Sequence, residues 1–276
     1  MKKCRSSVSL AVTLFAFALL FSGCPPWWEN DDEVAAVAAV PQGHALDNNT
    51  VALWRLNETS ASDNAVDATG SYNLQQFGSP DVGPGHAGNA RTLDGSTKFF
   101  QRQGDAALGT AFNGDWTFEG WVYLDNTFVV AGQLFVYNGL AFSFNSSDII
   151  LAEIFVDSNR RISTHQWHTT GSLTTVTSTG TLPIGQFNHV AVSRTAEGGN
   201  LFTYRIYVNG AIDNTTTGVS GLASPVTGAS HYIGLGCYTD IAGFGVGSSK
   251  LNGRLDDVRI SKVARSAAEI LQSYQR

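Results

Sequence analysis

The chain of 276 residues contains 17 basic and 23 acidic side chains, which gives a formal net charge of −6 at pH 7. This mildly acidic balance argues against a nucleic acid partner, because phosphate backbones are bound by basic surfaces. Apolar residues make up 43% of the chain, which is enough to build one large hydrophobic core.

Residues 1–23 have the pattern of a secretory signal peptide. Basic residues precede the apolar run VSLAVTLFAFALLF, which is too short for a membrane-spanning helix. The sequence LFSGC that ends this region resembles a bacterial lipobox, so we expect Cys24 to be the lipid-modified first residue of a lipoprotein in the bacterial cell envelope. Such an anchor would hold the chain on a membrane, facing the periplasm or the cell exterior. The alternative is an ordinary cleaved signal peptide, with Cys24 as an incidental thiol.

Residues 24–43 differ in composition from both neighbouring regions. They contain a double proline, a run of acids and a tract of alanine and valine, which is typical of a tether between the anchor and a folded body. We place the folded domain at residues 44–276. Because Cys4 belongs to the signal peptide and Cys24 to the anchor, Cys237 stands alone in the domain and is expected to be a small buried residue.

From residue 48 onward the pattern is that of β-strands. Segments such as VALWRLNE, DWTFEGWVYL, FNHVAVSR and FTYRIYVNG alternate between two faces and are separated by turn-forming residues. Near the end, Ser266 and Glu269 have the spacing of a capping box, which predicts a short C-terminal helix. The sequence therefore predicts an all-β fold, a two-sheet antiparallel sandwich followed by a short helix.

Six segments, in order, resemble landmarks of the concanavalin A-like lectin/glucanase superfamily, specifically its laminin-G-like (LamG) domains. They are VALWRLNETSASDNAVDATGS, ARTLDGS, DWTFEGWVYL, FNHVAVSR, YRIYVNGA and GRLDDVRISKVARSAAEI. The resemblance spans residues 48–274 and implies a jelly-roll sandwich with one concave sheet, often with a structural calcium ion.

Two adjacent aspartates, Asp256 and Asp257, precede the last apolar strand residues. Alternation places Asp256 on the core face with Val258 and Ile260, and Asp257 on the opposite face. A carboxylate that faces a core needs a partner, because an isolated buried charge is costly. A Ca²⁺ ion, which takes six to eight oxygen ligands, would serve. The alternative for Asp256 is a carboxylate that accepts backbone hydrogen bonds at a strand end.

The resemblance also implies where further calcium ligands lie. The turn VDATGSYN corresponds to the family's turn of an aspartate followed by Ser-Gly-Asn-Gly, and here Asp67 keeps the acid and Gly70 keeps a glycine. Thr69, Ser71 and Tyr72 depart from the family pattern. The predicted calcium site therefore comprises Asp67, Gly70, Asp256 and Asp257.

No catalytic residue is predicted. Retaining glycosidases need two carboxylates about 5–5.5 Å apart. The acids within single predicted strands, Asp115 with Glu119 and Glu153 with Asp157, are four residues apart, which is roughly 13 Å along a strand. The Glu-x-Asp-x-x-Glu signature of the superfamily's enzymes does not occur in the sequence. We therefore expect a protein that is not an enzyme, since the fold alone does not confer catalysis. A pair of acids brought together from two different strands is the alternative that the sequence leaves open.

Candidate ligand-binding residues lie in the segment THQWHTT. His165 and Trp167 share one face of a strand, and an exposed tryptophan offers a platform on which a sugar ring stacks. The alternative is that Trp167 is packed between the sheets. His168 lies on the opposite face from His165, so the two histidines are not expected to bind one metal ion.

The expected function is that of a membrane-anchored recognition module that binds carbohydrate or another extracellular polymer. Two alternatives remain at this point. One is an envelope protein that makes protein–protein contacts without binding glycan, and the other is a glycoside hydrolase. Exposed aromatics and amides on one face would favour glycan binding, whereas a broad apolar patch would favour protein contacts.

Overall fold

The computed structural model describes residues 41–104, 112, 114–127, 132–140, 148–167, 173–221, 231–237 and 250–276. The predicted signal peptide, Cys24, most of the tether and His168 lie outside the described residues. The chain from Val40 to Arg276 forms one compact unit. Among the described residues, no helix has the length and apolar character that crossing a membrane requires.

The described residues form fifteen strands and one helix. The elements are β1 (Thr50–Trp54), β2 (Gln75–Phe77), β3 (Asp81–Pro84), β4 (Asn89–Asp94), β5 (Phe99–Gly104), β6 (Trp116–Leu124), β7 (Gly132–Leu140), β8 (Asp148–Val156), β9 (Ile162–Trp167), β10 (Leu173–Thr177), β11 (Phe187–Gly198), β12 (Leu201–Val208), β13 (Ala211–Ser220), β14 (His231–Leu235), β15 (Asn252–Ser261) and α1 (Ala267–Tyr274).

These strands make two antiparallel sheets. The first sheet has the order β13-β12-β11-β6-β15-β4-β3, with β1 also paired to β15. The second sheet has the order β10-β9-β8-β7-β14-β5-β2. The prediction of an all-β jelly-roll sandwich with a short C-terminal helix is confirmed.

One hydrophobic core lies between the two sheets. It includes Phe118 and Val122 from β6, Val190 from β11, Ile154 from β8 and Ile233 from β14. Because successive residues of a strand point to opposite faces, Glu119 and Trp121 of β6 lie on the outer face of the first sheet. Cys237 is a free, buried cysteine, as expected from the sequence.

The C-terminal helix covers part of this outer face. Its capping box forms as predicted, since the Ser266 side chain accepts from the Glu269 N–H and the Glu269 carboxylate accepts from the Ser266 N–H at 2.8 Å. Ile270 packs against Ala191 and Tyr207 of the first sheet. The segment that enters the domain lies beside the chain end, where the Gln42 N–H donates to the Arg276 carbonyl at 2.6 Å.

A β-bulge in β15 changes the face on which Asp256 lies. Asp256 pairs with Trp121 and Arg259 pairs with Glu119, so the register shifts by one residue between them. Asp257 has a φ of 47°, a left-handed conformation that aspartate tolerates better than most residues. The prediction that Asp256 lies on the core face is wrong, because the extra residue reverses the alternation and places Asp256 beside Trp121 on the outer face.

Candidate functional site

Asp67 organises the turn that follows β1. Its Oδ1 accepts from the backbone N–H groups of Leu53 at 2.8 Å and Thr69 at 3.1 Å. Its Oδ2 accepts from the N–H groups of Ser71 at 3.2 Å and Tyr72 at 2.9 Å, and from the Thr69 hydroxyl. Gly70, with a φ of 83°, closes the same turn by donating its N–H to the Asp67 carbonyl at 2.9 Å. Protein donors thus satisfy both oxygens of this carboxylate.

Asp256 is buried against the turn between β3 and β4. Its Oδ2 accepts from the backbone N–H groups of His86 at 2.7 Å and Ala87 at 2.9 Å. These contacts match the alternative in which Asp256 accepts backbone hydrogen bonds. Its Oδ1 is buried and has no hydrogen-bond partner among the described residues. Burial raises the pKa of Asp256 to about 7.

Asp257 contacts the segment that leads into the domain. Its Oδ2 accepts from the backbone N–H of His44, and its Oδ1 lies 3.4 Å from Nη1 of Arg55. Burial raises the pKa of Asp257 to about 6, although these contacts act in the opposite direction.

The structure does not bring all four predicted calcium ligands together. Trp54 of β1 pairs with Asp67 on one side and with Val258 of β15 on the other. Two strand spacings, about 10 Å, therefore separate the backbone of Asp67 from that of β15. Asp256 and Asp257 lie together, whereas Asp67 and Gly70 lie across β1. Calcium binding at Asp256 stays a prediction.

His165, a predicted ligand-binding residue, lies on the outer face of the second sheet. Its Nδ1 is 2.7 Å from Oε2 of Glu153 on the neighbouring strand β8. Its ring centroid is 4.7 Å from that of Phe155. Ile154 of β8 belongs to the core and pairs with Thr164 of β9. Because side chains alternate along a strand, the residues before and after these two, which include Glu153 and His165, point away from the core.

Hydroxyl side chains extend this face across β9 and β10. Thr175 pairs with His165, and Thr177 pairs with Ser163, whose Oγ is 2.9 Å from the Thr177 Oγ1. Thr175 is exposed, and the His165 side chain is 22% exposed. We call this set the outer polar face, and it consists of Glu153, Phe155, Ser163, His165, Thr175 and Thr177. Trp167 ends β9, but its side chain lies outside the described residues.

The outer polar face combines an aromatic ring with hydrogen-bonding groups of both kinds. The Glu153 carboxylate accepts hydrogen bonds, the hydroxyls both donate and accept, and the His165 imidazole does either according to its tautomer. Ligand sites pair apolar or aromatic surface with a few placed polar groups of this type.

The acid pairs along single strands bind separate partners. Glu153 contacts His165, whereas Asp157 follows β8 and accepts from Nε of Arg161 at 2.9 Å. In the other pair, the Asp115 carboxylate accepts from the Ala196 N–H at 2.8 Å, and the Glu119 carboxylate accepts from Nη2 of Arg259 at 2.6 Å.

Sequence reasoning missed a buried polar group on the outer face of the first sheet. We call it the His–Glu cluster, and it consists of His44, Glu119 and His189. Alternation in DWTFEGWVYL and FNHVAVSR places Glu119 and His189 on the face opposite the core residues, so their shared face could have been predicted from the sequence. The proximity of His44 to these two residues could not have been predicted from the sequence, because His44 lies in a segment outside the strands.

Comparisons with known proteins agree with the architecture. A family model described as the concanavalin A-like lectin/glucanases superfamily matches residues 94–271. The chain has no significant match among curated proteins.

Solved structures similar to this chain include two complexes with a sugar or sugar analogue and one receptor binding domain. A Trypanosoma rangeli sialidase in complex with 2,3-difluoro-KDN gives a TM-score of 0.58 at 14% identity, over 87% of this chain and 35% of that chain. The receptor binding domain of botulinum neurotoxin C/D mosaic serotype gives a TM-score of 0.57 at 12% identity, over 83% of this chain and 52% of that chain. The third structure is domain 4 of AbnA, a GH43 extracellular arabinanase from Geobacillus stearothermophilus, in complex with arabinotriose. It gives a TM-score of 0.56 at 18% identity, over 82% of this chain and 98% of that chain.

At these identities the likeness shows the fold alone. The chain spans about a third of the sialidase and about half of the neurotoxin chain, but nearly all of the arabinanase domain.

Proposed function

Because this chain belongs to the concanavalin A-like lectin/glucanases superfamily, we propose that it is a non-catalytic carbohydrate-binding module, anchored to a membrane outside the cytoplasm. The outer polar face is the observation that carries this proposal. It places the His165–Glu153 pair, a partly buried phenyl ring and hydroxyl groups on one side of the second sheet, where Thr175 is exposed, His165 is partly exposed, and Glu153 and Ser163 are buried beneath them.

Sugars are recognised by groups of this kind. A pyranose or furanose ring offers hydroxyls that both donate and accept, and patches of C–H groups that pack against an aromatic ring. The contact between Glu153 and His165 holds two of the polar groups in place before a ligand arrives, which reduces the entropy lost on binding. The exposed Thr175 next to His165 extends the row of hydrogen-bonding groups.

The similar structures support a carbohydrate ligand and bear on its class. The arabinanase domain was solved with arabinotriose, the sialidases with sialic acid or its analogues, and cell entry of neurotoxin type C depends on two ganglioside molecules. This chain has a net charge of −6, and Glu153 lies within the proposed binding face. Because like charges disfavour association, we propose a neutral oligosaccharide rather than a sialylated one.

The separate partners of the strand acids support the absence of catalysis. Glu153 contacts an imidazole and Glu119 contacts a guanidinium, so neither is arranged with its strand neighbour as an acid and a nucleophile. Anchoring remains part of the proposal through lipidation of Cys24 and the tether at residues 24–43. A calcium ion at Asp256 and Asp257 also remains part of it, supported by the unpartnered Oδ1 of Asp256.

A glycan array with the purified full chain tests this function, followed by calorimetric titration of the best ligand. We expect neutral oligosaccharides to bind, and the His165→Ala variant to bind them about fivefold more weakly or worse, because one ligand hydrogen bond is lost. A chain that binds no glycan would instead favour the envelope protein that makes protein–protein contacts.

A further inference from the structure

The His–Glu cluster brings together three side chains from distant parts of the chain. His44 lies in the segment before β1, Glu119 in β6 and His189 in β11. One ligand atom from each lies within 4.8 Å of the others. All three side chains have 0% exposure. The cluster is distinct from the outer polar face, because it lies on the first sheet.

Five polar atoms of this cluster lack a hydrogen-bond partner among the described residues. Both ring nitrogens of His44, both ring nitrogens of His189 and Oε2 of Glu119 are buried without one. Burying such groups without a partner costs free energy, so buried side-chain nitrogens and oxygens are nearly always paired. Unpaired atoms in one place indicate a ligand, and a single cation can take one nitrogen from each imidazole together with Oε2 of Glu119.

We propose that His44, Glu119 and His189 bind one divalent transition-metal ion such as Zn²⁺. Two imidazoles and one carboxylate form a common ligand set for zinc, and the same set binds other divalent first-row metals. Ca²⁺ is not the ion for this site, because it takes oxygen ligands. The site is therefore separate from the calcium expected at Asp256.

The contacts around the cluster are those that support a metal ligand. Arg259 donates to Oε1 of Glu119 from Nε at 2.9 Å and from Nη2 at 2.6 Å, which leaves Oε2 for the ion. Nδ1 of His44 faces Oδ2 of Asp257 at 3.7 Å, which is beyond hydrogen-bond distance, and Nε2 of His44 is the nitrogen that would bind the ion. A carboxylate on the outer nitrogen and a hydrogen bond to the ligating carboxylate are typical of the shell around bound metals.

The protonation states suit metal binding. Burial lowers the pKa of His44 well below its ordinary value, so its imidazole is neutral at neutral pH and has a free lone pair. Burial opposes ionisation of Glu119, but the Arg259 guanidinium that donates to it holds its pKa below the ordinary value. Acidic and basic side chains around the site balance: Arg259 and Arg265 both contact Oε1 of Glu119, at 2.6 and 3.4 Å, Arg265 also contacts Asp47, and Arg55 contacts Asp257. The bonds to the three ligands therefore supply the affinity.

The ion would join the entering segment to the first sheet. His44 follows the tether at residues 24–43, whereas Glu119 and His189 sit on adjacent strands in the interior of the sheet. A bound ion would hold the point at which the chain enters the domain, and metal that binds only the folded state would stabilise it.

Co²⁺ and Zn²⁺ binding to the metal-stripped full chain tests this proposal. We expect one Co²⁺ per chain, with the visible absorption of a nitrogen-ligated site, and displacement of Co²⁺ by Zn²⁺ in excess Ca²⁺. His189→Gln and Glu119→Gln should each weaken binding by at least about tenfold, whereas the control Glu197→Gln, at an exposed residue near the far end of β11 from His189, should bind as the unmodified chain does.

A second measurement does not depend on the variants folding. Zn²⁺ added to the unmodified chain should slow amide hydrogen exchange at residues 42–46, and a chelator should reverse this. A folded, unmodified chain that binds no Co²⁺ or Zn²⁺ would overturn the proposal and leave a buried imidazole–carboxylate contact only. Binding that both cluster variants retain while folded would also overturn it.

Discussion

The carboxylate of Asp257 accepts a hydrogen bond from the backbone N–H of His44, which lies 213 residues earlier in the chain. Nη1 of Arg259 donates to the Ala45 carbonyl at 2.6 Å in the same region. The bulge in β15 positions both side chains, because Asp257 occupies its left-handed position. The bulge thus holds the segment that leads into the domain.

Removing this carboxylate should release the entering segment. Asp257→Ala leaves the buried His44 N–H without an acceptor and places alanine at a φ of 47°, so we expect unfolding to require about 1–3 kcal/mol less free energy. Asp257→Asn keeps an acceptor oxygen and tolerates the conformation, so it should lose less. Urea unfolding and amide exchange at His44 measure both effects. Equal stability of the two variants and the unmodified chain would contradict this role.

Asp94 provides a prediction about pH. Its Oδ1 accepts from the N–H groups of Ser96, Thr97 and Lys98 at 2.9, 2.7 and 2.9 Å, and its Oδ2 accepts from the Thr97 hydroxyl at 2.7 Å. Partial burial acts to raise the pKa of Asp94, but these hydrogen bonds outweigh it and hold the pKa well below the ordinary value.

The folded state therefore binds fewer protons at Asp94 than the unfolded state does. This contribution to stability is present above the ordinary carboxyl pKa of about 4 and is lost as the pH falls. In Asp94→Asn the free energy of unfolding should fall less steeply between about pH 5 and pH 2 than in the unmodified chain. Parallel curves for the two proteins would show that Asp94 has no such linkage.

Calcium binding at Asp256 predicts a change in thermal unfolding. Excess Ca²⁺ should raise the unfolding midpoint relative to a chelator, and Asp256→Ala should abolish the rise, because binding to the native state alone is stabilising. Burial raises the pKa of Asp256 to about 7, so the proton competes with the ion and the rise should be larger at pH 8 than at pH 6. If neither protein responds, Asp256 serves only as the acceptor for His86 and Ala87.

The sequence was sufficient for the architecture and for the local turns. Alternation identified the two faces of β6, and the spacing of Ser266 and Glu269 identified the start of α1, because both signals lie within one short segment. The bulge at Asp256 was not predictable, because an inserted residue changes the alternation without changing the composition. The approach of His44 to Glu119 depends on packing between distant segments, which no local pattern encodes.

Two threonines give a matched test of the outer polar face. Thr175 is exposed beside His165 on the second sheet, and Thr215 is exposed on β13 of the first sheet. Thr175→Ala should weaken glycan binding by about two- to tenfold through loss of one hydrogen bond, whereas Thr215→Ala should leave it unchanged. Calorimetric titration compares them, and equal affinities for the two variants would place the binding site elsewhere.

We propose that a neutral oligosaccharide binds on the outer polar face. The most direct measurement is chemical-shift mapping of the isotope-labelled chain by NMR during titration with the best ligand from the array. The predicted result is a saturable set of shifts centred on the backbone amides of Ser163, His165 and Thr175. Shifts that cluster instead on the first sheet, or no saturable shifts with any glycan, would contradict the claim.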